Sequence, residues 1–280
     1  MKIGITGATG QLGQLVVEEL KKRENSDHLV ALVRSTEKAK GLGIEACEFD
    51  YNNPESLERA LLDIDRLVFI SANEIGQRAR QHKNVIDAAK KSNVNWVVYT
   101  SLLRADTSTL SLAGEHLATE QELKNSGLDF TILRNGWYTE NYTASIPSAI
   151  QNGAFIGSAG DAKISSAARL DYAEALAIVI SDENNKGKTF ELAGDKSYTL
   201  TDLASEISKQ TGKEIPYKNL PEEAYAGILL QVGLPEGLAK GLANWDVSAS
   251  KGDLFEANHQ LSNLLGRPTT PLAKSISEVL

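Results

Sequence analysis

The chain has 280 residues, of which 41% are hydrophobic and 24% are charged, so it can bury a large core in one domain or in one domain with a smaller lobe. The formal net charge of −8 comes without a basic cluster, which argues against nucleic acid and anionic membranes as partners. The single cysteine excludes an internal disulfide and a cysteine-rich metal site. No apolar run approaches the roughly 18 residues of a membrane span, and we expect a cytoplasmic protein.

The first stretch of the chain predicts a strand, a glycine turn and an amphipathic helix. A short apolar run ends at Thr6, and Gly7, Gly10 and Gly13 follow before leucines and valines at helical spacing. Glycine permits unusual backbone dihedrals and close approach of a ligand, and the free amides of a helix N-terminus bind a pyrophosphate. An ordinary turn between strand and helix is the alternative. The predicted cofactor contacts in this turn are Gly7, Ala8, Thr9, Gly10, Gln11 and Leu12.

The second predicted strand, Leu29–Val33, ends at Arg34. NAD-binding folds of this kind usually have an acidic residue near this position, which binds the ribose 2′-hydroxyl. A guanidinium there binds a 2′-phosphate instead. We therefore expect NADPH to be preferred, with Arg34 as the main contact and Lys38 as a weaker one. A surface arginine at a strand end is the alternative.

Further strand-and-helix repeats follow before residue 140 and predict an α/β fold with a parallel, doubly wound sheet. Ligands bind across the carboxyl ends of such strands. The helix predicted over Gln77–Lys91 carries His82 among polar neighbours, which indicates a solvated histidine. The predicted strands after the second are 44–49, 67–70, 96–100 and 130–133.

Beyond residue 140 the pattern loosens into short apolar stretches separated by glycine and proline. We expect a dinucleotide-binding domain over residues 1–140. Residues 141–280 are expected to form a smaller, mostly helical substrate lobe that closes over the cofactor. A segment near 188–193 is expected to return to the main sheet.

The helix after the fifth strand lacks the Tyr-x-x-x-Lys pair that short-chain reductases use to protonate a carbonyl. With Glu120 aligned to a glutamate that often follows the lysine, His116 stands at the lysine position and Leu112 at the tyrosine position. A ketone needs a proton as hydride arrives, whereas a quinone or a cationic triarylmethane dye needs much less help. The missing acid favours such acceptors, and it also favours a binding protein without chemistry.

The glycine turn and Arg34 resemble the atypical short-chain dehydrogenases of the NmrA-like branch, with a Rossmann fold. Several further stretches are similar to the bacterial type 2 NAD(P)H:quinone oxidoreductases, a flavin-free family. The stretches that carry the resemblance are Thr6–Gly13, Ile75–Ala79, Tyr99–Leu103, Leu133–Tyr142, Glu191–Asp195, Ser250–Gly252 and Gly266–Thr270.

The resemblance implies NADPH in an extended cleft, a small-molecule quinone beside the nicotinamide, and neither flavin nor metal. It implies Asn141 as the residue that orients the acceptor, since an amide can donate to a quinone oxygen, although a helix N-cap is the alternative. His116 is implied at the ribose or as a proton relay. The further cofactor contacts expected from this architecture and resemblance are Asp50, Ser71, Ala72, Asn73, Thr100, Ser101, Arg134, Asn135, Trp137, Tyr138, Asn141, Tyr142 and Arg169.

Three functions remain open at this point. The first is an NADPH-dependent quinone reductase. The second is a reductase of cationic dyes, because the chain is also similar to bacterial triphenylmethane reductases. The third is a redox sensor that binds NADP(H) without chemistry and contacts a protein partner. The sequence leaves open the physiological acceptor and whether the chain forms a homo-oligomer.

Overall fold

The computed structural model describes residues 1–280. Its strands are β1 (Ile3–Thr6), β2 (Leu29–Val33), β3 (Glu45–Glu48), β4 (Arg66–Phe69), β5 (Trp96–Leu102), β6 (Asp129–Asn135), β7 (Phe155–Gly157), β8 (Thr189–Leu192) and β9 (Tyr217–Asn219). Its α-helices are α1 (Gln11–Lys21), α2 (Pro54–Leu61), α3 (Arg78–Lys91), α4 (Ala113–Ser126), α5 (Glu140–Thr143), α6 (Ile146–Asn152), α7 (Arg169–Ser181), α8 (Leu200–Thr211), α9 (Glu222–Gln231), α10 (Glu236–Ser250), α11 (Gln260–Leu265) and α12 (Leu272–Ser277). None of these helices combines the length and the apolar character that a membrane span requires.

One compact unit consists of residues 1–106, 112–135 and 169–192. It contains a seven-stranded sheet in the order β3-β2-β1-β4-β5-β6-β8, and every pairing in it is parallel. The chain moves outward from β1 to β3 and then returns to β4 on the other side of β1. A crevice for a ligand forms at such a reversal, outside the carboxyl ends of the strands.

The strands of this unit form because their apolar runs can be buried on both faces. Every residue of β1, β2, β4 and β5 is buried. Helices α1 and α7 pack on each other, while α2, α3 and α4 pack in a row. The predicted α/β class with a doubly wound parallel sheet is therefore confirmed.

The connection between β2 and β3 differs from the predicted repeat of strand and helix. Residues Thr36–Leu42 form a 3-10 helix whose C-cap is Gly43, where φ is +63°. The segment is too short for an α-helix of ordinary length that also returns to the sheet. This short connection carries Arg34 and Lys38, which line the cavity described below.

The second compact unit consists of residues 107–111, 136–168 and 193–280. It contains a two-stranded parallel pair of β7 and β9, and the pairing strand β9 was not predicted. Helix α8 begins with a capping box, in which Thr199 and Asp202 each bind the other's backbone N–H. Helices α9 and α10 pack on each other. The division of the chain at residue 140 stays a prediction.

Candidate functional site

The glycine turn after β1 adopts a backbone conformation that residues other than glycine could adopt only with strain. Gly7 has φ of +60°, and its carbonyl oxygen accepts a 2.8 Å hydrogen bond from the Gly10 N–H. A Cβ on Gly13 would overlap the Gly7 carbonyl oxygen and would lie 2.8 Å from the Ala8 Cα. Gly13 therefore allows α1 to begin directly against the turn, as the close packing of strand and helix requires.

The N-terminus of α1 is open to an anion. Gly10 is its N-cap, no side chain caps the helix, and its first turn holds no acidic residue. The first amides of a helix lack intrahelical partners and carry partial positive charge. Gln11 and Leu12 also line a cavity. These observations fit a pyrophosphate at this position.

The turn forms one wall of a cavity of about 530 Å³ in the first unit. The predicted cofactor contacts that line it are Gly7, Thr9, Gly10, Gln11, Leu12, Arg34, Lys38, Asp50, Ser71, Ala72 and Asn73. Ala8, also predicted, is fully buried and is not among the lining residues. The structure therefore brings the ends of β1, β2 and β4 together around one space, at the reversal of the sheet.

Arg34 is held in this cavity by an ion pair. Its Nη1 lies 3.0 Å from the Glu74 Oε1, and the other Glu74 oxygen accepts a 2.8 Å hydrogen bond from the Gln81 Nε2. Arg34 remains largely exposed, whereas Gln81 is buried. The guanidinium is accessible to a ligand, but it already has a carboxylate beside it.

His82 is fully buried, so the prediction of a solvated histidine is wrong. Its Nε2 accepts a 2.9 Å hydrogen bond from the Ala72 N–H, and its Nδ1 lies 2.8 Å from the Thr119 Oγ1. Arg78 Nε donates to the Ala72 carbonyl oxygen. Burial lowers the His82 pKa to about 3, with a smaller effect from the Arg78 charge. A neutral ring therefore holds the Ala72 peptide at the cavity edge.

The ends of β5 and β6 carry a buried cluster of charges. Arg134 donates to both Glu120 oxygens, at 2.9 Å from Nε and 2.7 Å from Nη2, and its Nη1 donates to Glu191 at 2.8 Å. Ser101 donates to Glu120 at 2.6 Å. The hydrogen bonds to Glu120 are the first cause of a raised Arg134 pKa, with burial opposing them. The donors of Arg134 and Ser101 are thus directed at carboxylates of this unit.

Thr100 and Asn135 occupy the same strand ends. The Thr100 Oγ1 accepts a 3.0 Å hydrogen bond from the Ser71 N–H, which fixes the end of β4 against β5. Asn135 is 4% exposed, and its backbone carbonyl accepts from the Leu103 N–H. Neither residue lines the cavity.

His116 lies in the core of the first unit, on α4. Its Nδ1 is 2.8 Å from the Tyr99 hydroxyl, and 5% of the residue is exposed. Burial lowers the His116 pKa to about 3, followed by the charge of Arg78. The imidazole is neutral at physiological pH and shares this hydrogen bond with Tyr99, whose phenol has a pKa raised by burial.

The remaining predicted residues are distributed over both units. Arg169 begins α7 in the first unit. In the second unit, the Trp137 ring packs edge-on against Trp245 at 5.8 Å between centroids, and Tyr138 forms an isolated bridge with Ala167. Asn141 lies inside α5, whose N-cap is Thr139. The alternative of an N-cap role for Asn141 is therefore wrong.

Tyr142 binds a buried carboxylate in the second unit. Its hydroxyl donates to the Asp246 Oδ1 at 3.2 Å, and the Asp246 Oδ2 accepts from the Ser158 N–H at 2.8 Å. Burial raises the Asp246 pKa to about 6, against these two hydrogen bonds. Burial also raises the Tyr142 pKa, followed by the Asp246 charge. No sequence pattern pointed to Asp246, because it lies 104 residues from Tyr142 along the chain.

Several cavity residues were missed from the sequence. Glu74 directly follows the predicted contact Asn73, so position after a strand end was an available signal for it, whereas Gln81 lies one turn into the next helix and had no such signal. The other missed lining residues follow or end strands too, or belong to the glycine turn: Gly13, Leu32, Val33, Ser35, Phe49, Tyr51, Asn52 and Ile70.

The parallel sheet, the glycine turn and the uncapped helix define a dinucleotide-binding protein. Comparison with known proteins identifies its family. Residues 7–183 match the model of the NAD(P)H-binding family, and the chain belongs to that family.

Relatives narrow the class within that family. The crystal structure of an NADPH-dependent quinone oxidoreductase of Escherichia coli, complexed with NADPH, is 53% identical, covers 99% of each chain and has a TM-score of 0.96. The Citrobacter triphenylmethane reductase complexed with NADP(H) is 33% identical over 100% of each chain, also with a TM-score of 0.96. An NmrA-like oxidoreductase of Aspergillus flavus is 30% identical over 100% of this chain and 95% of its own. The predicted membership of the NmrA-like branch is confirmed.

Proposed function

We infer that this chain is an NADPH-dependent oxidoreductase that transfers hydride to a quinone without flavin or metal. The observation that carries this function is that the glycine turn and Arg34 line the same cavity. The 53% identity over nearly the whole chain with the NADPH-bound quinone oxidoreductase of Escherichia coli supports the same function.

The residues of the first unit fit NADPH. The uncapped first turn of α1 supplies amides for the pyrophosphate, and Arg34 with Lys38 supplies positive charge for the 2′-phosphate. We propose that Asp50 lies beside the adenine, and that Ser71, Ala72 and Asn73 contact a ribose. Ala8, Thr100 and Ser101 support the turn and the strand ends from within.

When bound, NADPH supplies the hydride, and the residues beside the cofactor determine which class of acceptor can accept it. The face of α4 where short-chain reductases carry tyrosine and lysine holds Leu112, His116 and Glu120, all of them buried. Because Leu112 cannot donate a proton, the face lacks the acid that a ketone requires. A quinone spreads the new charge over its ring and oxygens, so water can supply its protons.

We propose Asn141 as the catalytic residue that orients the quinone, with Asn135, Trp137, Tyr138, Tyr142 and Arg169 as contacts on the nicotinamide side. In Asn141→Ala we expect hydride transfer to fall by about 100- to 1,000-fold, the usual effect of losing one well-placed donor. The Kd for NADP⁺, measured by calorimetry, should stay near that of the wild type. Unchanged turnover would remove Asn141 from the mechanism.

We propose two positioning roles for residues that the sequence assigned to the cofactor or to proton transfer. Arg134 holds the end of β6 against α4 through Glu120 and against β8 through Glu191, and His116 holds Tyr99. Because the His116 pKa is about 3, this ring contributes no inflection to the pH profile of kcat/KM between about pH 5 and 8.

The direct test is oxidation of NADPH by 1,4-benzoquinone or menadione with purified, flavin-free protein. We expect turnover without added flavin or metal. A dye such as malachite green is the comparison acceptor, because the Citrobacter dye reductase shares the fold at 33% identity. Faster reduction of the dye than of either quinone would favour a dye reductase, and binding of NADPH without any turnover would favour a redox sensor.

A further inference from the structure

The pairing of Arg34 with Glu74 has a consequence for cofactor choice. Arg34 follows β2 and Glu74 follows β4, the two neighbours of β1 in the sheet. Their side chains meet at 3.0 Å although they lie 40 residues apart. Both line the cavity of the glycine turn. The carboxylate therefore pairs with one nitrogen of the guanidinium to which a 2′-phosphate would bind.

The position of Glu74 is fixed by the residues behind it. Gln81, which is 2% exposed, donates to the Glu74 Oε2 at 2.8 Å. Two positions before Glu74, the Ala72 peptide is bound at its N–H by His82 and at its carbonyl by Arg78. Gln81 therefore holds the Glu74 carboxylate, and His82 and Arg78 fix the backbone just before it. Glu74 reaches Arg34 from a fixed position.

The two forms of the cofactor meet this pair differently. A 2′-phosphate beside Arg34 competes with Glu74 for the guanidinium, and it lies near a second negative charge. A 2′-hydroxyl brings no negative charge and can donate a hydrogen bond to the Glu74 carboxylate. In NAD-binding folds the usual partner of the 2′-hydroxyl is an acidic residue at the end of the second strand. This chain has Arg34 there, and Glu74 brings a carboxylate to the same place from the end of β4.

We propose that Glu74 determines the cofactor specificity of this site by competing with the 2′-phosphate for Arg34. Glu74 weakens the binding of NADPH and supports the binding of NADH, so that the chain binds both. This inference rests on the proposed function, because it requires that the cavity binds the dinucleotide.

The test compares the Kd values of NADP⁺ and NAD⁺ for the wild type and for Glu74→Gln, by isothermal titration calorimetry. Glutamine keeps an oxygen for Gln81 but removes the charge. We expect NADP⁺ to bind about two- to fivefold more tightly, the range that an exposed ion pair spans, while NAD⁺ binds no more tightly than before. An unchanged ratio of the two Kd values, or weaker NADP⁺ binding, overturns the proposal.

A double-mutant cycle tests whether Glu74 acts through Arg34. In an Arg34→Ala background we expect Glu74→Gln to give a smaller gain in NADP⁺ affinity, because no guanidinium remains to be released. A gain as large as in the wild-type background contradicts competition for Arg34.

Glu37→Gln is the matched control for net charge. Glu37 pairs with Lys40 at 2.6 Å on the surface and is not a lining residue. We expect its two Kd values to match the wild type, and a shift equal to that of Glu74→Gln would contradict a local role for Glu74. Wild-type protein that binds neither dinucleotide refutes the proposed function itself, whereas normal wild-type binding with an unchanged ratio in Glu74→Gln refutes only this inference.

Discussion

The carboxyl edge of the sheet in the first unit has two halves that differ in what fills them. Around β1, β2 and β4 the strand ends surround a cavity of about 530 Å³. Around β5, β6 and β8 the same edge is filled by Arg134 with Glu120 and Glu191. A residue at the carboxyl end of a strand therefore lies at the edge of the sheet where ligands bind. Its side chain can contact a ligand only where neighbouring side chains do not already bind it.

The difference originates in side-chain size and pairing. In the open half, glycines bring the backbone itself to the cavity, and the exposed Arg34 reaches it from a short connection. In the filled half, a long cation lies among acidic residues, and Glu120 is fully buried. Because a buried charge must be paired, these side chains bind each other. The open half suits a ligand, while the filled half supports the sheet.

The largest combined effect, on cofactor binding and on stability together, is expected from Gly13→Ala in the open half. The new Cβ would overlap the Gly7 carbonyl oxygen, so the turn must open. We expect the affinity for NADP⁺ to fall by at least about 100-fold and the free energy of unfolding to fall by about 3 kcal/mol. Calorimetry and urea unfolding measure the two losses.

Two other glycines complete this experiment. Gly114→Ala is the control, because nothing lies within 4 Å of its Cβ position, and it should stabilise α4 by up to about 1 kcal/mol. Gly10→Ala should fall between the two, because its Cβ would lie 3.2 Å from the Gly7 oxygen. Wild-type affinity in Gly13→Ala would break the assignment of the open half.

The next largest effect is expected from Arg134→Ala in the filled half. The substitution leaves the Glu120 carboxylate buried without its main partner. We expect the free energy of unfolding to fall by about 3–5 kcal/mol, the usual result of removing one partner of a buried pair. Urea unfolding measures the loss.

Arg59→Ala is the matched control for that variant. Arg59 forms an exposed pair with Glu48 at 3.7 Å, and such pairs contribute up to about 1 kcal/mol. Equal, small losses for both arginines would show that the filled half does not depend on its ion pairs, and the contrast between the two halves would fail.

A smaller effect, which depends on pH, is expected at the border of the two halves, where His82 supports Ala72. Its pKa is about 3 in the folded chain and about 6.5 in the unfolded chain. The folded state therefore binds the proton less strongly, and the associated stability is present above about pH 6.5 and lost as the pH falls toward about 3.

The measurement is urea unfolding of the wild type and His82→Gln between pH 7 and pH 4. We expect the wild type to lose about 3 kcal/mol more than the variant over this range. Asp246, whose raised pKa acts in the opposite direction, contributes equally to both proteins and cancels in the difference. Parallel pH dependences would contradict a neutral, buried His82.

The sequence predicted the open half well, because glycine spacing and strand ends are local signals. Gly7, Arg34 and Ser71 were found from their positions after apolar runs, and all three line the cavity. His82 was misjudged because its sequence neighbours are polar, although Val85, Ile86 and Ala89 mark the buried face of the same helix. Whether a helical residue is buried is predicted better by the residues three or four positions away, on the same face of the helix, than by its immediate neighbours in sequence.

Other features depended on contacts between distant segments. Arg134 pairs with Glu191 across 57 residues, and Tyr142 meets Asp246 across 104. No spacing rule predicts such pairs from a single sequence. The sequence therefore indicated which residues reach the strand ends, while the partners that occupy them became visible only in the structure.

A crystal structure of this chain with NADP⁺ tests the central claim most directly. We predict the pyrophosphate against the amides of residues 9–12, and the 2′-phosphate on Arg34 with the Arg34–Glu74 ion pair separated. A dinucleotide bound away from the glycine turn, or a 2′-phosphate that leaves Arg34 still paired with Glu74, would contradict the claim.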